Sequence, residues 1–286
     1  MSRKQRKKIE EMNFFDHLDE LRAAIFRGLG GLLVGLIVGY YFSSYLQSLL
    51  ILPFEEQTDA SLAILAPAEG FIVQLKISFV AGLFIAAPWM FYQLWHFVAP
   101  GLFKHERKLV FPVVFFSSAL FLIGAGFGVF VLPMATSFFL SFAQQGIVNV
   151  WSLGRYVDFV LRMLLAFGIV FELPLLIYFL ARFGVVTPSF LRTYRRHMYI
   201  VFLIAASIIT PPDIFTQVVL AVPLVILYEG SILLAVVAKR KWDRGLEERE
   251  AAEEEEPSEQ EEQDTATEPT AEETDKGNVN DMDKED

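Results

Sequence analysis

A chain of 286 residues in which 54% are hydrophobic and 14% aromatic, with a mean hydropathy of +0.43, is too apolar to be a soluble domain. Its apolar residues come in runs of membrane-spanning length, so it reads as an integral membrane protein, and the absence of cysteine excludes disulfides and thiolate metal sites. The net charge of -10 conceals two parts: from Asp243 onward twenty acids meet four bases, whereas the rest carries twenty bases and fourteen acids.

Residues 1–22 form the first predicted segment. Arg3, Lys4, Arg6, Lys7 and Lys8 are followed by Phe14, Leu18, Leu21 and Ile25 at helical spacing, which predicts an amphipathic helix lying along the cytoplasmic interface. The first apolar run starts only after Arg22. It is too long and too far in for a cleaved signal peptide, whose apolar core is ~7–15 residues, so it is read as a retained span over about 23–45. Within it Gly31, Gly35 and Gly39 recur every four residues on one face, a spacing that lets another helix of the chain approach closely.

Residues 43–70 hold Pro53, Pro67, Glu55, Glu56, Asp59 and Glu69 but no Lys or Arg, the signature of an outer loop. Span 2 is expected over 71–97, with Lys76 near its outer end and Trp89, Tyr92 and Trp95 as an inner aromatic belt. Residues 95–110 then form a charged island. Pro100-Gly101 breaks the helix and Lys104, Arg107 and Lys108 mark the cytoplasmic side, but the lone acid Glu106 has no place in a purely topological reading.

Span 3 is expected over 109–132, an outer loop with a short helix near 135–143 follows, and span 4 covers 157–183. Arg182, Arg192, Arg195 and Arg196 return the chain to the basic side. The apolar part of span 5, 198–209, gives only about 18 Å against ~30 Å of hydrocarbon, before Thr210-Pro211-Pro212-Asp213 turns the chain. Span 6, over 214–238, ends at Lys239-Arg240-Lys241-Trp242. The expected organisation is therefore a six-span all-α membrane domain over 23–242, both termini cytoplasmic, with an acidic tail over 243–286 too polar to fold.

Ionisable residues within the spans are few: Lys76, Asp158, Arg162, Glu172 and Glu229. Asp158 and Arg162 are four apart and are read as an ion pair on one helix face. Glu172 has no base within a turn and is followed by Pro174, which removes a backbone donor; a kink and a polar recess are expected, completed by Gln74 or a polar group of a partner helix. On the cytoplasmic face Glu20 and Glu106 admit two readings. They form a receptor for two adjacent guanidiniums, whose planar forks bind carboxylates better than lysine does, or they pair locally, Glu20 with Arg22 or Arg27 and Glu106 with Lys104.

His17, His96, His105 and His197 all map to the inner face but lack metal-ligand spacing, and no catalytic motif appears, so no enzyme chemistry, metal or cofactor is expected. An intramembrane protease lacks a Ser-His or two-Asp constellation. A proton-coupled small-solute transporter using Glu172 stands as the alternative function.

Four stretches carry a family resemblance: His17-Leu18-Asp19-Glu20-Leu21-Arg22, Phe97 through Arg107, Phe167 through Pro174, and Thr210-Pro211-Pro212-Asp213. They resemble the TatC family, the multi-spanning receptor subunit of the twin-arginine protein translocase. The resemblance implies a six-span, glove-shaped concave bundle in the bacterial cytoplasmic (inner) membrane. Such a protein binds twin-arginine signal peptides of folded cargo and organises their export by the proton-motive force, with no nucleic acid involved. It further implies that Glu20 and Glu106 recognise the arginines, with Phe97, Arg22 and Lys104 beside them, and that Glu172 is the polar group of the concave face. Ser207, Thr210 and Gln217 would contact single-span TatA/TatB-type partners. Pro53 matches a sensitive proline of the first outer loop, and Pro100, Pro211, Pro212 and Asp213 fall in the motif turns. Membrane lipid and further copies of the chain complete the expected partners.

Overall fold

The computed structural model describes residues 14–58, 61–98, 110–142, 150–182, 184–209 and 214–265. Pro100, Lys104, Glu106, Thr210, Pro211, Pro212 and Asp213 lie outside them. Helix α1 (Phe14–Tyr41) is followed by α2 (Ser43–Glu55), the strand β1 (Ser61–Ala63), α3 (Glu69–Val98) and α4 (Val110–Leu140). Then come β2 (Val150–Ser152), α5 (Leu153–Phe171), α6 (Leu173–Arg182), α7 (Pro188–Thr193), α8 (Arg195–Ile209) and α9 (Ile214–Thr265).

Five stretches are long and apolar enough to cross a membrane: His17–Tyr41, Glu69–Val98, Val110–Leu140, Leu153–Arg182 and Gln217–Arg240. Helix α8, with 15 residues, is the short sixth that the sequence anticipates. Two boundaries differ from expectation. The amphipathic segment ending at Arg22 is continuous with the first span in α1, because no Gly or Pro near Arg22-Ala23 interrupts the hydrogen-bond ladder. The separate outer helix expected near 135–143 is instead the end of α4, which runs through Pro133. At the other end α9 continues past Lys239 to Thr265, into the acidic stretch expected to lack structure, where Glu, Ala and Arg have high helix propensity.

The glycine stripe of α1 packs within the chain, against α3. A Cβ on Gly39 would lie 2.6 Å from the Ser78 carbonyl oxygen, and one on Gly82 2.7 Å from the Leu36 nitrogen. Only glycine permits backbones that close. On the other side of the bundle α5 is the central helix: Val157, Val160 and Met163 are fully buried, and α4 fits it through Gly124, where a Cβ would stand 2.5 Å from the Phe167 oxygen.

A small outer cap closes the bundle, with two strands that the all-helical expectation lacked. β1 and β2 pair in parallel, Leu62 opposite Trp151. Glu69, at the start of α3, ties them together: its carboxylate accepts from the Ser152 hydroxyl at 2.6 Å, Gly154 N–H at 2.7 Å, Leu65 N–H at 2.5 Å and Ala66 N–H at 3.1 Å. Beneath them Phe54 is wholly buried against Trp151 and Tyr156, and the Tyr156 hydroxyl donates to the Leu50 carbonyl at 2.9 Å. Pro53 sits in the last turn of α2, where its carbonyl accepts from the Gln57 side chain at 2.8 Å.

Candidate functional site

The inner ends of α1 and α3 meet at His17 and Phe97. Their rings stack with centroids 4.3 Å apart and planes 14° from parallel. One helical turn along α1, Glu20 places Oε2 3.7 Å from His17 Nδ1, and 47% of its side chain remains exposed. Of the two local partners considered for Glu20, the described contact is to neither: His17 takes that place, and Arg22 instead lies over the Phe26 ring, 5.7 Å from its centroid. Farther along, Trp89 donates from Nε1 to the Arg27 carbonyl at 3.0 Å, fixing the rotation of α1 on α3. Glu20 is thus exposed one turn from the His17–Phe97 stack, which marks where α3 ends and, in the sequence, the segment bearing Lys104 and Glu106 begins.

Glu172 occupies the break between α5 and α6. Its N–H bonds only three residues back, to the Ile169 carbonyl at 3.1 Å, and Pro174 has no N–H to offer Val170, so the helix parts here as its sequence predicts. The carboxyl is half-buried. Ser117 of α4 lies within hydrogen-bonding reach of it, and the Ser117 hydroxyl in turn accepts from Trp95 Nε1 at 3.2 Å. One oxygen, Oε1, is buried with no hydrogen-bond partner. The recess is completed by Ser117, not by Gln74. That residue lies near the outer end of α3 and lines a 280 Å³ cavity with Ser44, Gln47, Ser48, Ile51 and Glu55 of α2. Sequence reading missed Ser117 and Trp95 because neither has a helical-spacing relation to Glu172; they arrive from two other helices.

Asp158 also finds a partner that spacing did not suggest. Lys76 donates to both its carboxylate oxygens, at 2.7 and 2.9 Å, joining α3 to α5, in place of the expected pair with Arg162. Cross-helix geometry wins here because α5 turns Asp158 toward α3 and leaves Arg162 exposed. On α8 and α9, Ser207 is exposed and the Gln217 amide donates to the Leu203 carbonyl at 2.8 Å, so part of Gln217 is committed to holding the two helices together.

Residues 16–223 match the family model described as Sec-independent protein translocase protein (TatC). The chain belongs to the TatC family. A TatC protein of Desulforapulum autotrophicum is 40% identical over 247 residues, covering 85% of this chain and 91% of that one. The Aquifex aeolicus TatC is 37% identical over 234 residues, 80% of this chain and 97% of its own. A crystal structure titled as the twin arginine translocase receptor TatC superposes with a TM-score of 0.72 at 36% identity, covering 78% of this chain and 99% of that one. The TatC match includes Glu20, Phe97, Glu106, Glu172, Ser207 and Gln217. The basic start before Asp16 and the acidic residues from Asp243 on fall outside it.

Proposed function

We propose that this TatC-family chain is the receptor subunit of a twin-arginine translocase and that its signal-peptide site is built from Glu20, Glu106 and Phe97, flanked by Arg22 and Lys104. The observation that carries the reading is the His17–Phe97 stack, which brings the start of α1, where Glu20 is exposed one turn from His17, to the end of α3, nine residues before Glu106 in the sequence. A carboxylate from each of two segments matches two adjacent guanidiniums, each able to make two parallel bonds, whereas an ammonium offers only a point charge. Phe97 supplies an apolar face for the stem of an arginine.

In this reading the chain lies in the cytoplasmic membrane with both termini inside, in keeping with the basic connections at 99–109 and 182–196 and the acidic outer segment at 55–69. The exposed α8 surface around Ser207 and the free part of Gln217 face the single-span TatA/TatB-type partners, a contact to which the sequence also assigns Thr210, and several copies assemble within the complex. Glu172 lies in the concave face that receives the cargo's signal peptide during transport driven by the proton-motive force. The family assignment gives no support to the solute-carrier alternative.

The test is binding of a synthetic twin-arginine signal peptide to the purified protein. Glu20→Gln with Glu106→Gln is expected to weaken binding and to erase the preference for Arg-Arg over Lys-Lys. Unchanged affinity and preference in that double variant would remove both acids from the site.

A further inference from the structure

The inner ends of α8 and α9 do not lie at the same depth. Arg195 Nη2 meets Glu229 Oε2 at 2.8 Å, the Tyr199 hydroxyl donates to Glu229 Oε1 at 2.6 Å, and the Tyr228 hydroxyl donates to the Leu191 carbonyl at 2.9 Å. These bonds, with Phe202 packed on Tyr228 at 5.7 Å, hold α7 and the first turn of α8 level with Tyr228 and Glu229. Helix α9 then runs ten more residues before its exposed bases Lys239 and Arg240 end the apolar span. At 1.5 Å per residue that is about 15 Å. Arg192, Arg195 and Arg196 therefore sit roughly half the hydrocarbon thickness inside the level that α9 marks as the cytoplasmic surface.

A guanidinium at that depth needs an anion or water. Among the described residues Glu229 is the one carboxylate paired with these three arginines, and Arg195 takes it through Nη2 while its Nε is buried with no hydrogen-bond partner. Arg192 and Arg196 are exposed. They flank the junction of α7 and α8 at Tyr194, whose N–H bonds to the Phe190 carbonyl and whose carbonyl accepts from Met198 N–H, each at 3.1 Å, so both belong to the same short turn as Arg195. The bias toward bases in cytoplasmic connections explains why arginines are here. It does not explain why three bonds to α9 hold them up inside the span.

We propose that this notch seats the phosphate of an anionic phospholipid of the inner leaflet, held by Arg192, Arg195 and Arg196. The guanidinium fork matches phosphate oxygens, and basic recesses between spans on the cytoplasmic side are where such headgroups lodge. A headgroup drawn into the notch shortens the hydrocarbon beside α8, whose 15 residues reach about 22 Å, and so relieves the mismatch of that short span. The proposal rests on the cytoplasmic placement of the α6–α8 connection and is independent of the signal-peptide site.

The test is native mass spectrometry of the full-length protein in detergent, titrated with phosphatidylglycerol, with phosphatidylcholine and inorganic phosphate as separate arms. Phosphatidylglycerol is expected to bind in preference to phosphatidylcholine and to resist displacement by inorganic phosphate. Arg192→Gln with Arg196→Gln, which leaves the Arg195–Glu229 pair in place, is expected to lower the affinity about 25-fold, each surface charge being worth roughly fivefold. The matched variant Lys239→Gln with Arg240→Gln removes the same charge from the α9 level and is expected to change it by less than about threefold. Arg192→Lys with Arg196→Lys should retain most of the binding. Equal losses in the two glutamine variants, a lysine variant as weak as the glutamine one, or ready displacement by inorganic phosphate would each overturn the lipid seat.

Discussion

His17 and Phe97, eighty residues apart in the chain, stack face to face at 4.3 Å, and this contact joins the first helix to the end of α3, just before the charged stretch that follows it in the sequence. The stack fixes where the start of α1, with Glu20, stands relative to the end of α3. Phe97→Ala removes it while leaving both proposed carboxylates in the sequence. Signal-peptide affinity is expected to fall about tenfold, the upper range for an aromatic pair, measured by fluorescence anisotropy of a labelled peptide. Phe97→Tyr keeps the ring and is expected to bind as the parent does. An alanine variant with parental affinity would show that the stack does not position the site.

The α1–α3 seam responds to a single methyl group. Gly39→Ala and Gly82→Ala each drive a Cβ into backbone of the other helix, and each is expected to destabilise by roughly 1–3 kcal/mol, seen as a lower melting temperature in detergent. Gly30 and Gly126 have nothing within 4 Å of a built Cβ. Alanine there is expected to be neutral or to stabilise by up to about 1 kcal/mol through helix propensity. The opposite ranking would mean that the helices separate readily.

The Lys76–Asp158 pair suits a double-mutant cycle. Its side chains are 42% and 32% exposed within the protein, between a surface pair worth ~0–1 kcal/mol and a buried pair whose disruption costs about 3–5 kcal/mol. Lys76→Met and Asp158→Asn singly are expected to destabilise more than half as much as the double variant, with a coupling of roughly 1–2 kcal/mol. Simple additivity would deny the pair a role in joining α3 to α5. Arg162→Gln, by contrast, should leave the Asp158 substitution unaffected.

The outer cap hangs on one carboxylate. Glu69→Ala leaves the Leu65, Ala66 and Gly154 amides without their acceptor, and hydrogen exchange at these positions and along 61–63 and 150–152 is expected to accelerate while α5 stays protected. Gly154→Ala should reproduce the effect, since its Cβ would lie 2.7 Å from Glu69 Oε1. Acceleration spread evenly over α3 and α5 would make Glu69 a general stability residue instead of a local tie.

The helical class, the spans and their order were legible in residue order alone, because a bilayer forces each crossing to be a long apolar helix bounded by charge. The same holds for the break at Glu172, which Pro174 imposes locally, and for the stripe of Gly31, Gly35 and Gly39, which helical periodicity places on one face. Local rules also misplaced some partners. Spacing pairs Asp158 with the base one turn away and allows Glu20 a nearby arginine as one of two readings, whereas the structure joins Asp158 to Lys76 and sets Glu20 3.7 Å from His17.

What the tertiary structure alone decided is the meeting of residues from different helices. Ser117 reaches Glu172 from α4 and is itself held by Trp95 of α3, and Glu69 gathers both outer loops. Tyr199 and Arg195 close on Glu229 thirty or more residues away and thereby set the depth of α8. Hydropathy and periodicity fix which face of a helix is apolar and where it ends, but not its rotation and depth against a neighbour. Those depend on side-chain fit across the bundle, such as the contact of Gly82 with α1, and no period in the sequence encodes that fit.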